Sequence, residues 1–383
     1  MGWSAFRKTG LTFHNAAASV KGYTIVTPIA QNATYLIDMA GRVVHAWRYP
    51  QLRGFYGRLL DNGNLLLLGT DSSLSVPQIP EGTVPAFEVN VRRLGGNATH
   101  VVEMDWDGNV LWQYENHAIH HDFVRLPSGN TLVNEWVQLP EDVARSVRGG
   151  FRERNLPPML SDDFVEVDPA GKEVRRVSLW KLLDPARDPI CQLERRLEWT
   201  HTNSLDANSD GEILFSCRTN SRIGIITPKG ELRWKYGFPD IAHQHHATFL
   251  PNGHVQVFDN GMHRRGMPRS SIVEVDPKDN SIVWQYTADP DIQFLSAHIS
   301  GADRLAGGNV LICEGATGRL FEVTAKKEIV WEWTSPFSTR GPQGNLMNWV
   351  FRAYRYSPDH PALAGRDLDP RAHAATNRMY GLE

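Results

Sequence analysis

The sequence predicts an all-β protein, a six-bladed β-propeller with four-stranded blades. Three observations predict it: a hairpin formula that recurs six times, a turn phrase that recurs five times beside those hairpins, and a scarcity of helical periodicity. At 383 residues the chain exceeds one simple core, and repetition favours a single large β domain over 1–383 rather than two unlike ones.

The hairpins occupy 35–47, 100–112, 163–174, 222–234, 271–284 and 319–331. Each has a polar turn between alternating apolar runs and ends in Trp, or once in Val. The turn phrases lie at 120–133, 201–215, 242–261 and 298–312, each containing histidine, with a fifth at 56–68 that keeps the turn and lacks the histidine. Phrase plus hairpin makes four strands, the size of a propeller blade. Five blades follow, at 55–114, 120–180, 201–236, 245–286 and 298–333. The sixth is split, 348–356 supplying its inner strand and 22–47 the other three, so the N- and C-terminal strands pair and protect the edges an open sheet would leave.

The propeller core thus runs from about 20 to 356. Insertions at 70–98, 137–161 and 182–199 exceed what a blade needs and read as lids over one mouth, with short helices expected at 141–148 and 191–197. The tail 357–383 has little periodicity and is expected along the surface.

A formal net charge of −3 on 83 charged residues, with no Lys/Arg cluster interleaved with aromatics, argues against a nucleic-acid partner. No apolar run of signal-peptide or membrane-span type is present, so a soluble, cytoplasmic protein without a membrane partner is expected. Cys191, Cys217 and Cys313 are odd in number and unpaired in spacing, and read as reduced core thiols.

The histidines carry the chemistry. His121 and His245 stand eight residues before the turn glycines Gly129 and Gly253, while His201, His243 and His298 stand ten before Gly211, Gly253 and Gly308. Strand side chains alternate with period two, so without a bulge these offsets share one face and gather imidazoles from four successive blades at one end of the channel. His120 and His246 fall on the other face and read as structural; the remaining histidines lack the register.

The phrases His120-His121-Asp122, His201-Thr202-Asn203-Ser204, Ser216-Cys217-Arg218 and Gln244-His245, followed by Asp259-Asn260-Gly261, resemble those of the bacterial arylsulfate sulfotransferases. These are six-bladed propellers that move sulfuryl groups between phenols without a nucleotide (PAPS) donor. The resemblance covers about residues 20–356. It implies His245 as the nucleophile that carries the group, with His121, His201 and Arg218 clamping the sulfuryl oxygens. Asn203, His243 and His298 are expected to contact an aromatic small-molecule substrate, and no cofactor is required. A neutral imidazole is a competent nucleophile, and cationic donors stabilise the charge that builds on oxygen. The resemblance is not expected to extend to the signal peptide and extra N-terminal β-domain of periplasmic members, and His298 and Glu314 are additions to the family's pattern.

Two other readings fit the residues. His121, His201, His245 and His298 form a donor set suited to Zn, Fe, Cu or Ni, with Asp122 or Glu314 supporting them, in a metal-dependent oxidoreductase, lyase or hydrolase. Alternatively, the propeller is a non-catalytic interaction platform.

Overall fold

The computed structural model describes residues 8–74, 94–151, 157–341 and 344–383. Six four-stranded antiparallel sheets are the blades of a β-propeller. In chain order they contain Leu52–Leu59, Leu65–Asp71, His100–Met104 and Val110–Glu115; Ile119–Arg125, Thr131–Gln138, Leu160–Val167 and Glu173–Ser178; Thr202–Ala207, Ile213–Cys217, Arg222–Ile226 and Leu232–Gly237; His245–Phe249, Val255–Asp259, Ser271–Val275 and Ile282–Tyr286; and Gly301–Arg304, Val310–Glu314, Arg319–Val323 and Ile329–Thr334. The sixth is the split blade, in the order Val350–Tyr356, Tyr23–Pro28, Ala33–Ile37, Val43–Arg48.

The chain forms two compact units, one of residues 1–72, 101–113 and 299–383, the other of 73–100 and 114–298. In the first, Tyr23 to Pro28 pair antiparallel with Tyr356 to Val350, joining the two ends of the chain. The core beneath them holds Val26, Tyr35, Trp331, Trp333, Phe337 and Val350. Arg355 is buried and forms an ion pair with buried Glu322, while its guanidinium lies 4.4 Å from the centre of the Trp331 ring. A buried charge is tolerated only when paired in this way.

The recurring tryptophans join neighbouring blades. Within the first unit the Trp47 indole N–H donates to Asp105 O at 3.1 Å and that of Trp331 to Met39 O at 2.9 Å. In the second, Trp234 donates to Asn280 Oδ1 at 2.8 Å. Each acceptor is in the hairpin turn of the next blade, so the large apolar ring fills the seam and its one polar atom fixes the spacing.

One expectation needs correction, and two segments carry more structure than expected. Residues 10–14 form a further strand, Gly10–His14, on the outer edge of the Ile329–Thr334 strand. The tail folds as well as lying on the surface: Ala374–Tyr380 is a helix, Asn377 Oδ1 accepts from Val43 N at 2.8 Å, and Tyr380 packs edge-on to Phe337. The helix expected at 141–148 is present as Glu141–Ser146, but the one at 191–197 is a strand, Ile190–Arg195, pairing in parallel with Gly149–Phe151. Gly149 permits that pairing, since a Cβ on it would stand 1.9 Å from Ile190 O. Local propensity yields where the backbone finds such a partner. Residues 75–93 and 152–156, central to two of the lid-like insertions, lie outside the described residues. No described helix is long and apolar enough to cross a membrane.

Candidate functional site

The histidine phrases leave regular strand geometry where the histidines occur. His121, His201, His243 and His246 all have positive φ, between 50° and 59°. The pairing register shifts between Val133 and Glu135, between Thr202 and Ser204, and between His245 and Thr248. Simple alternation therefore does not decide which way these side chains point. Left-handed backbone at non-glycine residues costs about 1–3 kcal/mol each and concentrates at functional sites.

Each strand start is held by side chains from the preceding blade of the same unit. Asn134 Nδ2 donates to Thr202 O and Asn203 Nδ2 to Gln244 O, both at 2.8 Å. Asp122 Oδ2 accepts from Leu205 N, and Asp206 Oδ2 from Phe249 N, also at 2.8 Å. Asp122 and Asn203 are buried and serve as ties between strands.

Behind the site lies a buried polar layer. The His120 ring stacks on Trp136 at 4.1 Å, and its Nε2 is 3.1 Å from Asp162 Oδ1. Burial opposes ionisation of Asp162, yet the His120 contact and the Thr200 hydroxyl hold its carboxyl below the ordinary value. His120 Nδ1 is 2.8 Å from His121 Nδ1. Gly96 lets His121 sit there, because a Cβ at 96 would come within 2.1 Å of the ring. The His121 and His201 rings are 4.5 Å apart. His201 Nδ1 is 2.8 Å from Glu198 Oε2, and Glu198 Oε1 accepts from the Trp136 indole N–H at 2.8 Å.

Arg218 follows Ile213–Cys217, and its backbone N–H donates to His201 O at 3.1 Å. Its guanidinium meets Glu194 Oε1 at 2.9 Å, and the same oxygen is 3.4 Å from His243 Nδ1 and 3.8 Å from His263 Nδ1. Burial, with Arg218 and the neighbouring histidines adding repulsion, pushes the His243 pKa down to about 2.

His245 is buried, and its Nδ1 is 2.8 Å from Asn260 Oδ1. Asn260 is oriented by its own Nδ2, which donates to Ser296 O at 2.8 Å, so its oxygen faces the ring and Nδ1 must carry the proton. Burial holds the His245 pKa well below the ordinary value, against the effect of Asn260 and together with Arg218, His201 and His298. Nε2 is left with its lone pair. His298 lies in the approach to Gly301–Arg304, its pKa lowered by burial and by Arg218.

The second unit thus holds His121, His201, Arg218, His243, His245 and His298, with Arg218 acting electrostatically on three of the histidines. Among the described residues, the group of three or more His, Cys, Asp or Glu side chains with ligand atoms close enough to share a metal is Cys191, His243 and His263, and the set His121, His201, His245 and His298 is not such a group in this structure. Glu194, Glu198, Asn260 and His263 were given no role from sequence. Asn260 lies in the Asp259-Asn260-Gly261 phrase that carries the resemblance, and Glu198 stands three residues before His201, whereas Glu194 and His263 left no readable signal. Cys217 and Cys313 are core thiols, but Cys191 is only half-buried, beside His263.

A pH dependence follows from His245 and from His45, which is half-buried against Trp106 with its pKa pushed down to about 4 by that burial. Both stay neutral in the fold. Below pH ~6.5 the unfolded chain binds protons that the native state does not, so stability falls as pH falls, by up to about 1.4 kcal/mol per pH unit per histidine until each folded value is reached. The melting temperature should hold steady near neutrality and drop on acidification below about pH 6.5. A melting temperature that rises over that interval would contradict this burial of neutral imidazoles.

The family model described as Arylsulfotransferase (ASST) matches residues 92–336. No curated protein matches. Among solved structures, a protein of unknown function from Bacteroides caccae is 14% identical with a TM-score of 0.55, over 88% of this chain and 98% of that one. Virginiamycin B lyase from Staphylococcus aureus is 13% identical with a TM-score of 0.46, over 86% of each chain. The Bacteroides caccae likeness is one of fold.

Proposed function

Because this chain belongs to the arylsulfotransferase (ASST) family, we propose that it transfers a sulfuryl group between phenolic compounds through His245, without a nucleotide donor. The observation that carries the reading is the Ser296–Asn260–His245 chain, which fixes the tautomer of a buried, neutral imidazole and leaves Nε2 as a nucleophile.

In the first half-reaction Nε2 attacks the sulfur of an aryl sulfate. The N–S bond forms as the S–O bond to the aryl group breaks, and the phenolate leaves and takes a proton. The ring nitrogens now share one positive charge, which Asn260 Oδ1 accommodates through Nδ1–H. In the second half-reaction an acceptor phenol loses its proton as its oxygen attacks sulfur, and the N–S bond breaks to restore neutral His245. Arg218 supplies positive charge for the sulfuryl oxygens. His121 and His201 complete the oxygen-binding wall, and Glu198 gives His201 a second capacity: with Nδ1–H held on the carboxylate, Nε2 can receive the acceptor's proton. His243 and His298 border the same region, and Asn203 holds Gln244 in place through its Nδ2.

The test is covalent labelling. Incubation with a sulfur-labelled aryl sulfate and rapid quenching should leave acid-labile, alkali-stable label on the protein, mapped by peptide analysis to His245. A protein that turns over aryl sulfate and phenol with no label, and only when both substrates are present together, would show direct transfer and remove the intermediate.

A further inference from the structure

The proposed transfer gives no bond-making or proton-moving step to one group of donor atoms in this unit, of which His243 alone borders the transfer site. Cys191 Sγ lies 3.5 Å from His263 Nδ1, and the ligand atoms of Cys191, His243 and His263 all fall within 4.8 Å of one another. In a tetrahedral zinc site with Zn–S of about 2.3 Å and Zn–N of about 2.05 Å, the sulfur-to-nitrogen edge is roughly 3.6 Å. The Cys191–His263 edge already has that length.

His243 supplies the independent observation. Its side chain is 1% exposed and neither ring nitrogen makes a hydrogen bond, Glu194 Oε1 standing 3.4 Å from Nδ1. Buried polar atoms in native proteins are otherwise satisfied, and an orphaned imidazole beside a thiol and a second imidazole indicates a ligand. The backbone places all three donors. The Cys191 N–H donates to Thr219 O at 2.7 Å, which pins its strand. The turn carrying His263 is held by the Gly261 N–H on Asp259 Oδ1 at 3.1 Å and by the Arg264–Asp259 ion pair.

We propose that Cys191, His243 and His263 form a zinc site, with Sγ and one nitrogen from each imidazole as ligands and the fourth position open to the adjoining cavity. One thiolate with two imidazoles suits Zn2+, and three protein ligands with one open position is the arrangement of a site that binds a further molecule. The cavity is about 380 Å³ and is lined by Ile190, Leu193, Phe238 and Met262 beside the three ligands. Its walls are mainly apolar, with Gln192, Asn220, Arg222 and Arg265 adding polar groups, so water or the donor atom of a small ligand completes the coordination. The Cys191 thiolate offsets one of the two charges, and Glu194, which is also paired with Arg218, places a carboxylate beside the site. Binding forms a Zn–S bond as the Cys191 thiol releases its proton to solvent. None of His121, His201 or His245 is a ligand, so the inference stands apart from the transfer mechanism.

Full-length protein stripped with chelator is titrated with Zn2+ against a chromophoric competitor and, separately, with Co2+ followed by absorption. The expected result is one equivalent of either metal, a thiolate-to-cobalt charge-transfer band with tetrahedral d–d bands, and tighter binding as pH rises. Cys191→Ser and His263→Ala should each weaken zinc binding by at least ~100-fold, and His254→Ala, which removes a histidine paired with Glu274, should bind as wild type does. Absence of stoichiometric binding, a cobalt spectrum without the thiolate band, or undiminished binding in either ligand variant overturns the site.

Discussion

Alanine at position 245 should abolish sulfuryl transfer, with kcat reduced by about 10⁴-fold or more, the scale of loss when a covalent nucleophile is removed. The other groups of the site remain in place, but none of them can form the N–S bond. The substitution opens a small cavity and strands Asn260 Oδ1 without its donor, a cost of about 1–3 kcal/mol that leaves a cooperative melting transition. Circular dichroism melts run beside the kinetics separate the two effects. Added imidazole should restore part of the rate by occupying the vacated volume, whereas it cannot repair a misfolded chain. If His245→Ala kept its rate within tenfold of wild type, the nucleophile would have to be sought elsewhere, His201 being the first candidate because of its Glu198 partner.

Deleting residues 350–356 should cost the protein its cooperative fold. The strand Val350–Tyr356 is the inner partner of Tyr23–Pro28 and brings Val350, Phe351, Ala353 and Arg355 into the core. Its loss exposes a row of unpaired backbone groups along Tyr23–Pro28 and leaves the buried Glu322 carboxylate without its cation. Breaking one buried ion pair alone costs about 3–5 kcal/mol, and total stabilities are only about 5–15 kcal/mol. Arg355→Met isolates that contribution and should lower the melting temperature while keeping a single transition. A truncated protein that melts like the full-length one would show that the split blade is dispensable.

Blade number and blade boundaries were legible in the sequence because the propeller repeats one solution: a turn glycine in the left-handed region, such as Gly253 at φ 83°, followed by alternating apolar residues and a closing Trp. The split blade was legible because only one four-strand unit lacked its first strand. Which histidines share a cluster was readable only in outline. The offsets of eight and ten assumed unbroken pleating, and the bulges at His121, His201 and His245–Thr248 break it. Glu194 and Cys191 were out of reach for a different reason. They belong to a strand whose pairing with Gly149–Phe151 depends on backbone contact between two insertions, and no periodicity within 191–197 encodes it.

The pairing of Tyr23–Pro28 with Val350–Tyr356 also sets the order in which the protein can be finished during synthesis. The first of these strands leaves the ribosome roughly 320 residues before the second, which at ~5–20 residues per second is an interval of roughly 16–64 s. Throughout that interval the three-stranded remnant Tyr23–Arg48 has an open edge of strongly apolar residues, Ile25 and Val26 among them, and the five later blades are still being made or packed. Completion of the split blade therefore waits until residues 350–356 have been made. A nascent chain stalled before residue 350 should be the species that chaperones hold, and the one most prone to pair its free edge with another copy of itself.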